Sequence, residues 1–124
     1  MNILFMCRLY WPHVGGVEKH VEKICEILKK KHEIIIVCEK HDPKLSDFEF
    51  RQGISIYRIP GSDKWTIWKW WMGHLQLIKQ ADIIHIHDVF FWFLPFRLPY
   101  WSKKVFVTFH GWEGLYPVPW KNII

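Results

Sequence analysis

The chain has 124 residues, half of them hydrophobic, with 17 Lys and Arg against 12 Asp and Glu for a formal charge of +5. That composition fits one globular domain with a sizeable core and excludes a disordered chain. The basic residues are spread along the sequence, which suits phosphates, nucleotides or anionic lipid headgroups and excludes the dense patch that nucleic-acid binding requires.

The first apolar run, Ile3-Leu4-Phe5-Met6-Cys7, reads as a strand. It lacks a basic leader and a small-residue cleavage site, so no signal peptide is expected. Pro12-His13-Val14-Gly15-Gly16 follows, and from Val17 an amphipathic pattern begins, with Val17, Val21, Ile24, Cys25 and Leu28 on one face and Glu18, Lys19, Glu22 and Lys23 on the other. Strand, glycine turn and helix in that order form the first unit of a nucleotide-binding type of α/β domain. Glycine there permits a tight turn and lets a phosphate approach the amides at the helix start. Alone, the Gly15-Gly16 pair is equally well read as a simple strand-to-helix turn.

Ile34-Ile35-Ile36-Val37-Cys38 is apolar throughout, as in a parallel strand buried on both faces. A polar stretch from Glu39 to Gly53 precedes Ile54 to Ile59, whose period-two alternation predicts a third strand near a sheet edge. Ser62 or Asp63 is placed to cap a helix from about Lys64 to Gln80. Four tryptophans, Trp65, Trp68, Trp70 and Trp71, share it with Lys64 and Lys69, and two of the four do not fit its buried stripe. Rings of that kind beside lysines suit an anionic membrane surface, or else a covering of core or of another domain.

Ile83 to His87 predicts a fourth strand, Phe90 to Phe96 a short aromatic helix, and Val105 to Phe109 a fifth strand leading into His110-Gly111-Trp112-Glu113. The order predicts α/β, a doubly wound parallel sheet with strands arranged 3-2-1-4-5. Its loops would then meet beyond the carboxyl ends of strands one, four and five, and bring His13, Gly15, Gly16, His87, Asp88, His110, Gly111, Trp112 and Glu113 to one cleft. His85 reads as a satisfied core histidine, His20 as solvent-facing or locally packed, and Glu113 as pairing with a basic neighbour in preference to touching sugar hydroxyls. Cys7, Cys25 and Cys38 lack metal-ligand spacing and are expected as buried reduced thiols. Aromatic residues 89 to 101 are too interrupted to span a membrane. The apolar ending Asn122-Ile123-Ile124 suggests the front part of something longer, and an uncovered sheet face predicts self-association.

Three segments in order resemble one family across nearly the whole chain. Pro12 to His20, P-H-V-G-G-V-E-K-H, is similar to the P-x-x-G-G-x-E-x-H opening of the retaining GT-B glycosyltransferases of family four. Ala81 to Asp88, A-D-I-I-H-I-H-D, and Thr108 to Gly111, T-F-H-G, resemble that family's fourth- and fifth-strand segments. The resemblance implies that residues 1–124 are a Rossmann-like, acceptor-side, N-terminal half of a GT-B fold whose donor-binding C-terminal domain lies outside the chain, so that the chain alone is expected to be inactive. It implies a nucleotide-sugar donor as substrate, no cofactor and no metal, and a glycan or lipid-linked acceptor. Gly15 and Gly16 would face the donor diphosphate and His110 would act beside the transferred sugar. His13, Glu18, His87, Asp88, Gly111, Trp112 and Glu113 would line the cleft on the acceptor side, Glu18 by orienting the glycine loop or capping its helix. The expected setting is cytoplasmic, peripheral at the inner membrane face.

Two other classes stay open on the residues. His85 and His87 project to one face of a strand, and with His110 they are compatible with a metal-dependent hydrolase. A non-catalytic module that binds a membrane or a partner is the third reading.

Overall fold

The computed structural model describes residues 1–12 and 16–108, and the side chains of all of these except Val17 and Glu18. The elements are β1 (Asn2–Cys7), α1 (Gly16–Leu28), β2 (Glu33–Glu39), β3 (Phe48–Arg51), β4 (Ile54–Ile59), α2 (Lys64–Met72), α3 (Leu75–Gln80), β5 (Ile83–His87) and β6 (Lys104–Thr108). They form a six-stranded sheet in the order β3-β4-β2-β1-β5-β6, parallel everywhere except between β3 and β4. The expected order is therefore borne out, with β3 added outside it.

β3 was hidden because its alternation, Phe48-Glu49-Phe50-Arg51, lasts four residues inside a polar stretch. It joins β4 through Gln52 (φ 53°) and Gly53 (φ 82°), a two-residue turn with both residues left-handed. Such turns favour Asn-Gly, and glutamine in the first place gives no comparable signal.

The sheet is covered on both sides. Ile3, Phe5 and Cys7 of β1 point to the α1 side, where Val21 and Cys25 complete a core cluster, while Leu4 and Met6 point to the side of α2 and α3. All three cysteines are buried and no disulfide joins them. Burial pushes the Cys25 and Cys38 thiols up to about 12, so both are neutral at physiological pH and unsuited to nucleophilic or metal chemistry.

Two helix expectations need correction. The helix expected over 64–80 is two helices, broken at Gly73 and His74. The Gly73 amide closes α2 on the Lys69 and Trp70 carbonyls, and the His74 ring stacks on Trp70 (3.8 Å between centroids) with Nδ1 2.7 Å from the Trp70 oxygen. That side-chain bond competes with continued helix. The expected aromatic helix at Phe90 to Phe96 is a pair of single 3-10 turns, Phe90–Trp92 and Leu94–Phe96, with Pro95 opening the second. Among the described residues no helix is long and apolar enough to cross a membrane.

Candidate functional site at the strand exits

Register decides what the strand ends share. Cys7 of β1 pairs with His87 of β5, and His87 pairs with Thr108 of β6, so the carboxyl ends of these strands lie in one row. Because β1 and β2 are parallel, α1 between them runs the opposite way and begins at that row. His20, one turn into α1, meets the His87 ring edge-on at 6.0 Å, which fixes the helix start above the β5 exit. Gly16 is exposed there, and a Cβ on it would meet nothing within 4 Å among the described residues.

His87 is fully buried. Its ring stacks on Phe5 at 5.9 Å and lies 4.2 Å from the ring of His85, so it forms the floor of the exit, beneath whatever the loops hold. Asp88 next to it is half-buried and left-handed (φ 66°), a conformation that a short polar side chain tolerates, and its amide bonds the Thr108 carbonyl at 2.9 Å. The chain thus turns sharply as it leaves β5. His85 has Nε2 2.9 Å from Thr108 Oγ1, the cross-strand partner expected of a satisfied core histidine.

The structure brings Gly16, His20, His87 and Asp88 to this edge. His13, Gly15, His110, Gly111, Trp112 and Glu113 lie outside the described residues, as does the side chain of Glu18. Among the described residues no cluster of three or more His, Cys, Asp or Glu is arranged to hold a metal ion.

Several residues of this edge escaped the sequence reading. Arg58 is fully buried, and its guanidinium donates to the Ser46 carbonyl (3.0 Å), the Trp11 carbonyl (3.1 Å) and Glu49 Oε1 (3.0 Å). From the other direction the Arg51 guanidinium lies 3.9 Å over the Trp11 ring. The residue that enters the glycine loop is therefore held at both its backbone and its side chain. A signal existed: Arg58 continues the buried stripe of Ile54 and Ile56, where a charge demands a partner. Glu39, at the end of β2, is buried as well. Burial raises its carboxyl above the ordinary range, and the Arg8 guanidinium 3.8 Å away offsets part of that rise.

A separate hollow of about 110 Å³ lies between the 3-10 turns and β6, lined by Ile86, Phe90, Phe93, Leu94, Arg97, Val105 and Val107. Its walls are carbon apart from Arg97, which makes it a poor seat for a diphosphate.

The sequence matches Glycosyltransferase Family 4 over residues 14–123. The chain belongs to that family. The match spans the glycine loop, α1 and all six strands but the first. Relatives include the GDP-mannose:cellobiosyl-diphosphopolyprenol alpha-mannosyltransferase of Xanthomonas campestris, 29% identical over 90% of this chain and 31% of its own length. An uncharacterized glycosyltransferase of Methanocaldococcus jannaschii is 26% identical over 72% of this chain and 20% of its own. The chain thus spans a third or less of these relatives. Sucrose-phosphate synthase from Thermosynechococcus elongatus superimposes with a TM-score of 0.66 over 89% of this chain and 33% of that one, at 14% identity, which places the fold of this family 4 chain among GT-B halves.

Proposed function

We propose that this family 4 domain is the acceptor-side half of an enzyme that moves a sugar from a nucleotide-sugar donor to an acceptor with retention of configuration. A saccharide carried on a diphosphopolyprenol lipid is the acceptor class, as in the name of the Xanthomonas relative. The observation that carries the reading is the row Cys7, His87, Thr108, which sets three strand exits side by side at the start of α1.

In this reading the amides at Gly15 and Gly16 face the donor diphosphate, where the helix start favours negative charge. His110 stands beside the transferred sugar and donates a hydrogen bond as charge grows on the leaving phosphate; it is not a nucleophile. Buried His87 and the left-handed Asp88 shape the acceptor side, together with His13, Glu18, Gly111, Trp112 and Glu113. The donor is a substrate, and no cofactor is invoked.

The test joins the chain to a donor-binding domain and follows transfer of labelled mannose from GDP-mannose to a polyprenyl-diphosphate disaccharide. His110→Ala is expected to lower kcat and kcat/KM together by about 10²-fold or more, with donor binding nearly unchanged. Gly16→Val is expected to raise donor KM while leaving the fold intact, because its side chain would meet none of the described residues. A near-normal kcat for His110→Ala sinks the site assignment, and absence of transfer from any nucleotide sugar sinks the function.

A further inference from the structure

Helix α2 carries more apolar surface than its place on the sheet can use. Its inward side is filled by Ile67 and Trp71, both fully buried, and Trp70 is occupied by the rings of Tyr57 (6.3 Å) and His74 (3.8 Å). Of the rest, Lys64, Trp65, Trp68, Lys69 and Met72 recur at i, i+1, i+4, i+5 and i+8, within about 140° of an arc that runs from the flank of the core, where Trp68 packs, to the outer side. A helix packed on a sheet should show polar residues there. Instead Trp65 is 69% exposed and Met72 63% exposed, flanked by exposed Lys64 and Lys69.

The outer face is also ordered in advance. Trp68 Nε1 donates to the Phe91 carbonyl at 2.9 Å, Trp65 meets the Trp68 ring edge-on at 5.4 Å, and Lys64 Nζ lies 5.5 and 5.9 Å from the two ring centres. No acid belongs to this face. Asp63, just before the helix, spends both carboxylate oxygens on the Thr66 amide and hydroxyl.

We infer that this face of α2 docks on an anionic lipid surface, with Trp65 and Met72 entering the headgroup boundary and Lys64 and Lys69 pairing with lipid phosphates. Tryptophan is suited to that boundary because its ring is apolar and its indole N–H is polar, and lysines add attraction to negative headgroups. Charge selects this occupant over a second copy of the chain: two molecules at +5 repel, whereas a negative bilayer attracts. The location is useful too. Trp68 is tied to the 3-10 turn that follows the β5 exit, so a docked α2 holds that exit close to the bilayer. The docking itself does not depend on the transferase reading; only its use for a lipid-borne acceptor does.

Flotation of the 124-residue chain with vesicles tests this directly. Binding is expected to phosphatidylcholine vesicles containing phosphatidylglycerol, weakly or not at all to phosphatidylcholine alone, and to fall as salt is raised. The double variants Trp65→Gln/Met72→Gln and Lys64→Glu/Lys69→Glu should each bind at least about tenfold more weakly. Ile27→Gln, which removes an equally exposed apolar side chain on α1, on the opposite side of the sheet, should bind as the parent chain does. Because every substituted side chain is on the outer surface, thermal melts should be unchanged. No binding to anionic vesicles, equal binding to neutral ones, or undiminished binding by both double variants overturns the proposal. So does a dimer in solution that Trp65→Gln/Met72→Gln converts to a monomer. A transferase that works on soluble acceptors with docking intact would refute the acceptor reading alone.

Discussion

Arg58 and Glu39 are both buried charges near the strand exits, yet they act on stability in opposite directions. Arg58 has four oxygen partners, and truncating it strands two backbone carbonyls, one hydroxyl and one carboxylate. Removing one member of a buried pair commonly costs 3 kcal/mol or more; Glu49 retains some water contact, so Arg58→Met should cost about 3 kcal/mol by urea denaturation. Among the described residues the Glu39 carboxylate pairs with an exposed arginine, and such pairs contribute little. Its folded pKa is raised, so the folded state holds the proton more tightly than the unfolded chain does. Stability is therefore greatest below the unfolded value and declines as pH rises through the folded one. Glu39→Gln is expected to exceed the parent in stability at neutral pH, with the gap closing in acid, as denaturant midpoints across a pH series would show.

At the level of elements, two glycines near α2 separate backbone permissiveness from packing. Gly73 is in the ordinary helical region, and a Cβ there would lie 3.5 Å from the Trp70 carbonyl, an ordinary contact. Gly73→Ala should stabilise by about 0.5–1 kcal/mol through loss of unfolded-state freedom. At Gly61 a Cβ would approach Thr66 Cγ2 to 2.8 Å, and the Thr66 hydroxyl is held by Asp63, so Gly61→Ala should lower the melting temperature by disturbing that cap. Equal melts for the two variants would contradict this contrast. The sequence made α2 visible through Asp63 and the Ile67, Trp71 spacing. It concealed the break because the interruption depends on a His74 ring bond that spacing does not encode. β3 was concealed for a related reason: a four-residue strand gains its identity from its partner β4 more than from its own alternation.

For the molecule as a whole, the sheet order was legible because runs such as Ile34 to Cys38 are apolar on both faces, and right-handed crossovers then leave few arrangements. The strand exits of the candidate site were legible for the same reason, since topology alone sends β1, β5 and β6 to one edge. What sequence could not supply was depth. His87 is a polar residue with no exposed surface at the very end of its strand, and only the packing of Phe5 and His20 against it decides that, whereas the alternation of β4 already pointed Arg58 inward.

The place of β1 between β2 and β5 also sets an order of assembly during synthesis. The strand made first ends in the middle, and the sheet grows outward on one side through β2, β4 and β3 before anything is available for the other. One edge of β1 stays bare until β5 emerges, 24 residues after the end of β4. At ribosomal rates that interval is about 1–5 s. During it the nascent half-sheet displays the unpaired edge of an apolar strand, the kind of edge on which chains associate with one another.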